Sequence, residues 1–358
     1  MAILSTSPEN MAERWPEGGL ENLSRCPVCG SGDRKLLHAG LHDRVFRNAP
    51  GEWNLQACGD CGCAYLDPRP TPETIGLAYR KYLTHAPGGG VEYAKANSWR
   101  RFRIAQRNAY FNANYGYQLK PAAWNPIFLG SARRRRFDSF TGFFRFPGPG
   151  ARVLDVGCGN GSFLWQMRSL GWEVCGVEPD PKSAALARAA GLDVRDGLLQ
   201  QQSFPEVHFD GITMTHVIEH LHEPMDTLRR CWKLLKPGGQ ITVATPNLGS
   251  RGHQIFGGNW FALMPPTHLA LFTENSLRRA LETCGFVVSR PPRPSLRAQE
   301  MFKASYTLVL AGADKKREQE LPWPARFKVK WLAAQADLAT RQNPAVAEEL
   351  VLLGKKPA

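Results

Sequence analysis

The sequence predicts an α/β protein, in which a doubly wound, mostly parallel sheet follows a small metal-binding domain. A β-branched apolar run ends at Asp155 and turns through three glycines into a helix-like segment over residues 153–167. Strand and helix patterns alternate from residue 151 onward, which is the arrangement that builds a parallel sheet. Two C-x-x-C pairs precede this region, and their spacing suits a four-cysteine metal site.

Composition is that of a globular protein with room for two domains. The chain has 358 residues, of which 43% are hydrophobic and 22% are charged. Its net charge of +13 favours polyanionic neighbours, such as nucleic acid, an anionic membrane or a phosphate-bearing substrate. We expect no secretory signal and no membrane span, because no apolar run approaches the required length. Nine cysteines, four of them in C-x-x-C pairs, suit a reducing compartment, so we expect a cytoplasmic protein.

The first 70 residues predict a flexible tail over 1–22 and a compact metal-binding domain over 23–70. Each C-x-x-C pair is followed by glycine, a turn that lets two thiolates face one ion. The predicted zinc ligands are Cys26, Cys29, Cys58 and Cys61, which together form a structural site of the zinc-ribbon type. Cys63 is not included because it breaks the spacing. A redox role is not favoured, since neither pair lies in a βαβ pattern.

Residues 71–147 predict a helical connector in which basic and aromatic residues interleave, ending at the Pro/Gly-rich stretch 146–150. We favour an amphipathic connector whose aromatic side chains cover the next domain. Nucleic-acid binding, or contact with an anionic substrate or lipid, remains an alternative.

The sequence of residues 148–358 predicts a domain of seven strands with helices between them. The predicted strands are 152–156, 173–177, 193–195, 210–215, 240–245, 286–289 and 349–354, and the predicted helices are 162–170, 181–190, 225–235 and 274–284. Residues 291–348 form a helical insertion before the last strand. There Phe327, Trp331, Ala334 and Leu338 share one helical face, which predicts a lid or an interdomain brace, or alternatively a helix on a membrane surface.

The glycine loop carries the main functional signal. Its glycines follow the pattern G-x-G-x-G, whereas a dinucleotide fingerprint requires G-x-G-x-x-G. The alternating form, with an acidic residue two positions before the first glycine, resembles motif I of class I S-adenosylmethionine (SAM)-dependent methyltransferases. The resemblance implies a Rossmann-like, doubly wound, seven-strand methyltransferase sheet with SAM as cofactor. The residues expected to bind it are Asp155, Gly157, Cys158, Gly159, Gly161, Glu178, Pro179, Asp196, Gly197 and His216.

Within this set, Glu178 ends the second strand and is placed to accept hydrogen bonds from both ribose hydroxyls. The adenine edge would lie near residues 196–198. The order of the motifs, including Ile218-Glu219-His220-Leu221 and Thr245-Pro246-Asn247, is similar to the branch that includes ubiquinone-type and glycan O-methyltransferases. The resemblance covers residues 150–290 and the final strand. Some sugar C-methyltransferases also carry a zinc-binding domain ahead of this core, but their substrate is not carried over here.

The catalytic prediction rests on His216, Glu219, His220 and His268. If residues 216–220 are helical, the first three lie on one face, and His268 folds over the same place. Two related families carry a Glu-x-x-Glu-His version of this segment and bind a divalent metal with it, whereas here His216 replaces the first Glu. Three interpretations stay open: a metal that lowers the pKa of a substrate hydroxyl, a histidine general base, and a structural brace.

We expect the loop after the fifth strand to form the wall of the acceptor site. It is rich in Gly and aromatic residues, and long loops in compact domains are usually functional. The expected substrate-binding residues are Trp260, Phe261 and His268. The predicted activity is transfer of the SAM methyl group to a nucleophile, with hydroxyl oxygen favoured, of a small-molecule, sugar or lipid-linked glycan acceptor. The alternatives are an RNA methyltransferase and a zinc-ribbon interaction protein on a catalytically degenerate methyltransferase fold.

Overall fold

The N-terminal part of the chain forms a small antiparallel sheet around the cysteines. The computed structural model describes residues 14–80, 97–123, 130–311 and 321–358. Its first strands are β1 (Leu20–Glu21), β2 (Arg34–Leu41), β3 (Trp53–Cys58), β4 (Ala64–Leu66) and β5 (Arg69–Pro70). β2, β3 and β4 pair antiparallel, and β1 pairs with β5.

Part of the predicted tail is held against this sheet. Residues 1–13 lie outside the described part of the chain, but the ring of Trp15 packs edge-on against Trp53 with centroids 5.3 Å apart. The indole N–H of Trp15 donates to the carbonyl of Gly19 at 2.9 Å. Residues 14–22 are therefore fixed by packing and pairing, where the sequence predicted a loose segment.

Two helices follow, α1 (Ser98–Tyr115) and α2 (Ser131–Phe140). Asn97 caps α1 by accepting a hydrogen bond from the backbone of Arg100, and Gly116 ends the helix with φ of 76°. The buried aromatic residues at the end of α1, Tyr110, Phe111 and Tyr115, pack in one cluster with residues of the central domain such as Val153. This packing is what the connector interpretation predicts for its aromatic side chains.

The central domain contains a seven-stranded sheet, and this confirms the predicted fold class. Its strands, with one short additional strand, are β6 (Arg152–Val156), β7 (Glu173–Glu178), β8 (Val194–Asp196), β9 (Phe209–Thr215), β10 (Leu235–Pro246), β11 (Ala270–Leu271), β12 (Val287–Ser289) and β13 (Glu349–Lys355). The order across the sheet is β12-β13-β10-β9-β6-β7-β8. The five neighbouring strands β10, β9, β6, β7 and β8 run parallel to one another. β13 pairs antiparallel with both β10 and β12.

Helices connect the strands at bounds close to the predicted ones. They are α3 (Ser162–Ser169), α4 (Pro181–Ala189), α5 (Pro224–Leu234), α6 (Arg251–Phe256), α7 (Glu274–Thr283), α8 (Ala298–Ala311) and α9 (Trp323–Gln342). Asp180 shows why α4 begins where it does, since its carboxylate accepts hydrogen bonds from the backbone of Lys182 and Ser183. Pro181 then occupies the first helical position, where no N–H is needed.

β11 is a strand of the N-terminal sheet although it follows β10 in the chain. It pairs antiparallel with β4, so that Ala270 lies opposite Tyr65 and Leu271 opposite Ala64. The N-terminal sheet therefore runs in the order β11-β4-β3-β2 and includes a strand from the central domain. The segment around His268, which immediately precedes β11, is consequently fixed by the cysteine-bearing sheet.

The insertion consists of α8 and α9, which pack against each other. The predicted face of α9, containing Phe327, Trp331 and Leu338, exists but is exposed. The opposite face makes the packing contacts through small side chains, namely Ala325, Val329, Ala333 and Ala336. The interpretation of the aromatic face as an interdomain brace is therefore wrong, because in the described residues it packs on no domain. None of the described helices combines the length and apolar character needed to cross a bilayer.

Candidate functional site

The glycine loop lies between β6 and α3 in a conformation that requires glycine. Gly157, Gly159 and Gly161 have φ of 70°, 54° and 76°. A Cβ at Gly157 would clash with Val217, and one at Gly161 would clash with Leu192. A Cβ at Gly159 would meet no atom within 4 Å. The outer two glycines therefore permit close packing, whereas Gly159 leaves open space over the loop for a ligand.

Glu178 ties the end of β7 to this loop. Its carboxylate accepts hydrogen bonds from the backbone N–H of Gly159 at 2.7 Å and of Asp180 at 2.9 Å. Burial raises the pKa of Glu178, and the two backbone donors oppose that shift. Each oxygen retains a lone pair, so the carboxylate can still accept from ribose hydroxyls.

Asp155 lies beneath the loop at the end of β6. Its Oδ1 accepts a hydrogen bond from the Thr213 hydroxyl of β9 at 2.6 Å. Burial, with a contribution from the negative charge of Glu178, raises the pKa of Asp155 to about 7 even though Thr213 opposes the shift. Asp155 therefore supports the loop from below and cross-links two strands.

The remaining predicted cofactor residues surround this point. Asp196 ends β8 beside Glu178 in the sheet register and forms an ion pair with Arg188 at 2.9 Å. The backbone N–H of Gly197 donates to the Glu178 carbonyl at 3.0 Å. Cys158 is buried, and its sulfur fills the space where a side chain on Gly176 would lie. Burial raises the pKa of the Cys158 thiol, so this side chain acts in packing.

The segment after β9 is not the helix that the sequence predicted. The N–H of His216 continues the ladder to β10 by donating to the Ala244 carbonyl at 2.8 Å, and His216 then turns with φ of 54°. A single 3-10 turn, Ile218–His220, follows. The helical prediction fails because pairing with β10 extends one residue too far for a helix to begin at His216.

His216 lies between two carboxylates. Its Nδ1 is 3.4 Å from Oε1 of Glu219, and its Nε2 is 2.9 Å from Oε1 of Glu349. Burial alone would lower the pKa of His216, but the two carboxylates raise it to about 10. An imidazolium has no lone pair for a metal or a proton. The predictions of His216 as a metal ligand or a general base are therefore not supported by this geometry.

Glu219, His220 and His268 form a separate cluster, with one potential ligand atom from each within 4.8 Å of the others. Nδ1 of His220 is 2.7 Å from the Thr267 carbonyl, and Nδ1 of His268 is 2.7 Å from the Ala262 carbonyl. Because a carbonyl only accepts, both Nδ1 atoms carry the proton and both Nε2 atoms keep a lone pair.

The electrostatics of this cluster match those of a cation site. Burial raises the pKa of Glu219, but the hydrogen bond with His216 and the neighbouring imidazoles lower it to about 2. Burial lowers the pKa of His220, and it lowers that of His268 to about 3. Thr245 donates to Oε2 of Glu219 at 2.9 Å, and Oε1 faces Nδ1 of His216 at 3.4 Å. An ionised carboxylate thus lies beside two neutral imidazoles.

Two of the predicted acceptor residues, Trp260 and Phe261, lie beside a cleft, and Trp260 is almost fully buried. Trp260 is 1% exposed, and its indole N–H donates to Oε2 of buried Glu348 at 3.3 Å, so most of its ring serves as core. Most of the Trp260 surface therefore packs in the core, and its predicted role in the acceptor wall stays a prediction. Trp260 and Phe261 do border a cleft of about 280 Å³, together with Arg44 and Pro265. The cleft lies between the N-terminal sheet, the loop before His268 and α8.

Sequence reasoning missed the residues that hold the cluster in place. The hydroxyl of Tyr79 lies 2.9 Å from Nδ1 of His220 and donates to the Thr267 carbonyl at 3.2 Å. Nothing in the sequence links Tyr79 to a residue so distant in the chain. Thr245 belongs to a motif that the resemblance did include, although no role was assigned to it. Glu349 begins the last strand and had no signal of its own.

The four predicted zinc ligands converge. Sγ of Cys26 is 3.7 Å from that of Cys61, and Sγ of Cys29 is 3.5 Å from that of Cys58. Sulfur atoms bound to one tetrahedral zinc ion at about 2.3 Å lie about 3.8 Å apart. The cluster therefore fits a zinc ion.

The fold and the site define a class of protein that comparison with known proteins also identifies. A family described as "Methyltransferase domain" matches residues 129–290. The ubiquinone biosynthesis O-methyltransferase of Maricaulis maris is 34% identical over 181 residues, which is 47% of this chain and 71% of that protein. This chain therefore belongs to the class I SAM-dependent methyltransferases, and it is an enzyme of that class.

Within the class, the similar relatives include several ubiquinone biosynthesis O-methyltransferases. That of Caulobacter vibrioides is 37% identical over 137 residues, 35% of this chain and 53% of its own length. That of a Xanthomonas oryzae strain is matched over 44% of its length, so the chain spans about half of several of these relatives. A solved SAM-dependent methyltransferase from Archaeoglobus fulgidus is similar with a TM-score of 0.40 and 19% identity, over 73% of this chain and 100% of that one.

Proposed function

We propose that this methyltransferase transfers the SAM methyl group to a hydroxyl oxygen of a small-molecule acceptor. The observation that carries the proposal is the cluster of Glu219, His220 and His268, which follows the strand next to the glycine loop. The contact between Gly157 and Val217 brings the two regions together. The relatives described above are named ubiquinone biosynthesis O-methyltransferases, and this supports oxygen as the methylated atom.

In this proposal the glycine loop and Glu178 hold the methyl donor. Gly159 leaves room for the methionine part, and the Glu178 carboxylate accepts from the ribose hydroxyls. Asp196 and Gly197 border the adenine. Methyl transfer is an in-line displacement on carbon, so the main task of these residues is to align the sulfonium with the incoming oxygen and to exclude water.

Glu219, His220 and His268 would hold a divalent cation beside the methyl group. The Glu219 carboxylate and the imidazole lone pairs of His220 and His268 supply a carboxylate–bis-imidazole donor set that suits such an ion. When bound, the cation would lower the pKa of the acceptor hydroxyl. The chain's own contribution is orientation, because the Thr267 and Ala262 carbonyls fix both rings. The same two neutral histidines are the candidates for a general base if no metal binds.

We also propose that Cys26, Cys29, Cys58 and Cys61 bind structural zinc and that the protein is cytoplasmic. None of the nine cysteines, all of which lie in the described residues, forms a disulfide, which suits a reducing compartment.

The test is to incubate the enzyme with methyl-labelled SAM and with acceptor pools of phenols, sugars, lipid-linked glycans and RNA. We expect label in an alkali-stable methyl ether of a small molecule. Glu219→Gln and His268→Gln should each lower turnover about 100-fold while SAM still binds in calorimetry. His208→Gln, just before the opposite end of β9, is the matched control and should keep its turnover. Label in RNA, or full turnover in both cluster variants, would contradict the proposal.

A further inference from the structure

The insertion carries a stripe of large apolar side chains that no described part of the chain covers. Trp323, Phe327 and Trp331 in α9 are 79%, 67% and 56% exposed. Their spacing of four residues places them on one side of the helix, and Leu338 continues the same side. The rings of Trp323 and Phe327 stack with centroids 6.5 Å apart.

The end of α8 also exposes large apolar side chains. Val309 and Leu310, in the last turns of α8, are 44% and 48% exposed. α8 and α9 pack together through the buried small residues of α9, so the exposed side chains belong to one helical pair. Trp323, Phe327 and Trp331 together form the α9 face.

Basic residues accompany the α9 face. Arg326, Lys328 and Lys330 are exposed between and beside the aromatic residues. Nζ of Lys328 lies 5.7 Å from the centroid of the Tyr306 ring of α8. The acidic residue of the α9 sequence is Asp337, which is half-buried.

The basic residues beside the exposed aromatic residues indicate which partner fits this face. A second copy of the chain, docked through the same face, would bring two sets of like charges together as its apolar residues met. An anionic lipid surface satisfies both features, because aromatic rings prefer the interfacial region and cations are drawn to acidic headgroups. The net charge of +13 acts in the same direction. We propose that the α9 face docks this enzyme onto anionic membranes.

Docking through this face has a consequence for the cleft. Val309 lines the cleft beside Trp260 and is exposed at the end of α8, the helix that packs against α9. The rim of the cleft would then belong to the helical pair that docks on the lipid.

Flotation of the full-length protein with vesicles tests the proposal. The vesicles are phosphatidylcholine alone, or phosphatidylcholine mixed with phosphatidylglycerol. We expect binding to the anionic vesicles, weakened by high salt, with a blue shift of tryptophan fluorescence. The triple variant W323A/F327A/W331A should lower the partition coefficient at least about 10-fold, and K328E/K330E should lower it similarly.

The matched control is W99A/F102A, which removes another exposed and stacked Trp–Phe pair, on α1. It should leave partitioning within about twofold of the unaltered protein. All variants change exposed side chains, and SAM binding in calorimetry verifies that they are folded. Equal vesicle binding by the triple variant overturns the proposal, as does an equal loss in W99A/F102A. A dimer that the triple variant abolishes, without vesicle binding, overturns it in favour of a second copy. None of these outcomes depends on the acceptor of the methyl group.

Discussion

Thr213 and Asp155 join two parallel strands beneath the glycine loop through a hydrogen bond of 2.6 Å. The carboxyl group is buried among apolar strands and close to a second carboxylate, so its charged form is costly. The site proposed to bind the methyl donor therefore contains a carboxyl group whose charged form is destabilised by burial, and the stability of the protein should depend on pH through this residue.

Replacing Asp155 by Asn should remove that dependence. The pKa of Asp155 is raised to about 7 in the folded protein, whereas an unfolded Asp titrates near 4. Between these values the unfolded chain releases a proton that the native chain keeps, so unfolding becomes easier as pH rises to 7. Relative to Asp155→Asn, the unaltered protein should lose up to about 4 kcal/mol of unfolding free energy over this range.

Urea unfolding at a series of pH values measures this difference. Thr213→Val removes the donor that lowers the pKa of Asp155, so the loss of stability should extend to higher pH. A difference between the unaltered protein and Asp155→Asn that stays constant from pH 4 to 8 would contradict the raised pKa.

The glycines of the loop should separate into two classes. Gly161→Ala forces a side chain onto Leu192 at a positive φ and should cost about 2–4 kcal/mol of stability. Gly159→Ala meets open space, so its stability cost should be about 1 kcal/mol, but its methyl group occupies the ligand's place.

Thermal unfolding and SAM calorimetry distinguish the two variants. We expect the larger fall in Tm for Gly161→Ala and the larger loss of SAM affinity, per unit of lost stability, for Gly159→Ala. The reverse order would show that the ligand does not lie over Gly159.

Tyr79→Phe should slow methyl transfer without weakening SAM binding. The variant loses the hydroxyl that lies beside His220 Nδ1 and donates to the Thr267 carbonyl, so the imidazole is less well oriented. We expect a severalfold lower kcat and about 1 kcal/mol of lost stability. Tyr117→Phe is the control, because its buried hydroxyl accepts from the Trp172 indole at 2.8 Å, far from the cluster. An equal loss of kcat in both variants would contradict this prediction, because it would show that Tyr79 acts only through the stability of the protein.

Zinc removal should lower the rate of methyl transfer, because the N-terminal sheet holds the segment that contains His268. The N–H of Leu66, in β4, donates to the carbonyl of Leu269 at 3.0 Å, immediately after His268. Cys58→Ser should lower the zinc content and Tm, and with them the turnover. Cys63→Ser, at a buried cysteine outside the four-sulfur cluster, should keep one zinc per chain and near-normal turnover. Metal analysis and rate assays check both, and full activity in zinc-free protein would contradict the coupling.

The sequence alone determined the features that local patterns encode. Strand and helix periodicity, with glycines at fixed positions, was sufficient for the seven-stranded sheet and for the loop from 153 to 161. Cysteine spacing was sufficient for the four-sulfur cluster, because both ligand pairs are turns of a few residues. Each of these features depends on neighbours in the chain.

Tertiary structure decided the rest, because long-range pairing and packing compete with local pattern. The strand pairing of His216 with β10 replaced a predicted helix, and Glu349, from the last strand, then bound its side chain. The face of α9 that packs is the one with small residues, since they allow close approach to α8, and the aromatic face was left exposed. Tyr79 is 141 residues from His220 in the chain, and only the fold brings its hydroxyl to the imidazole.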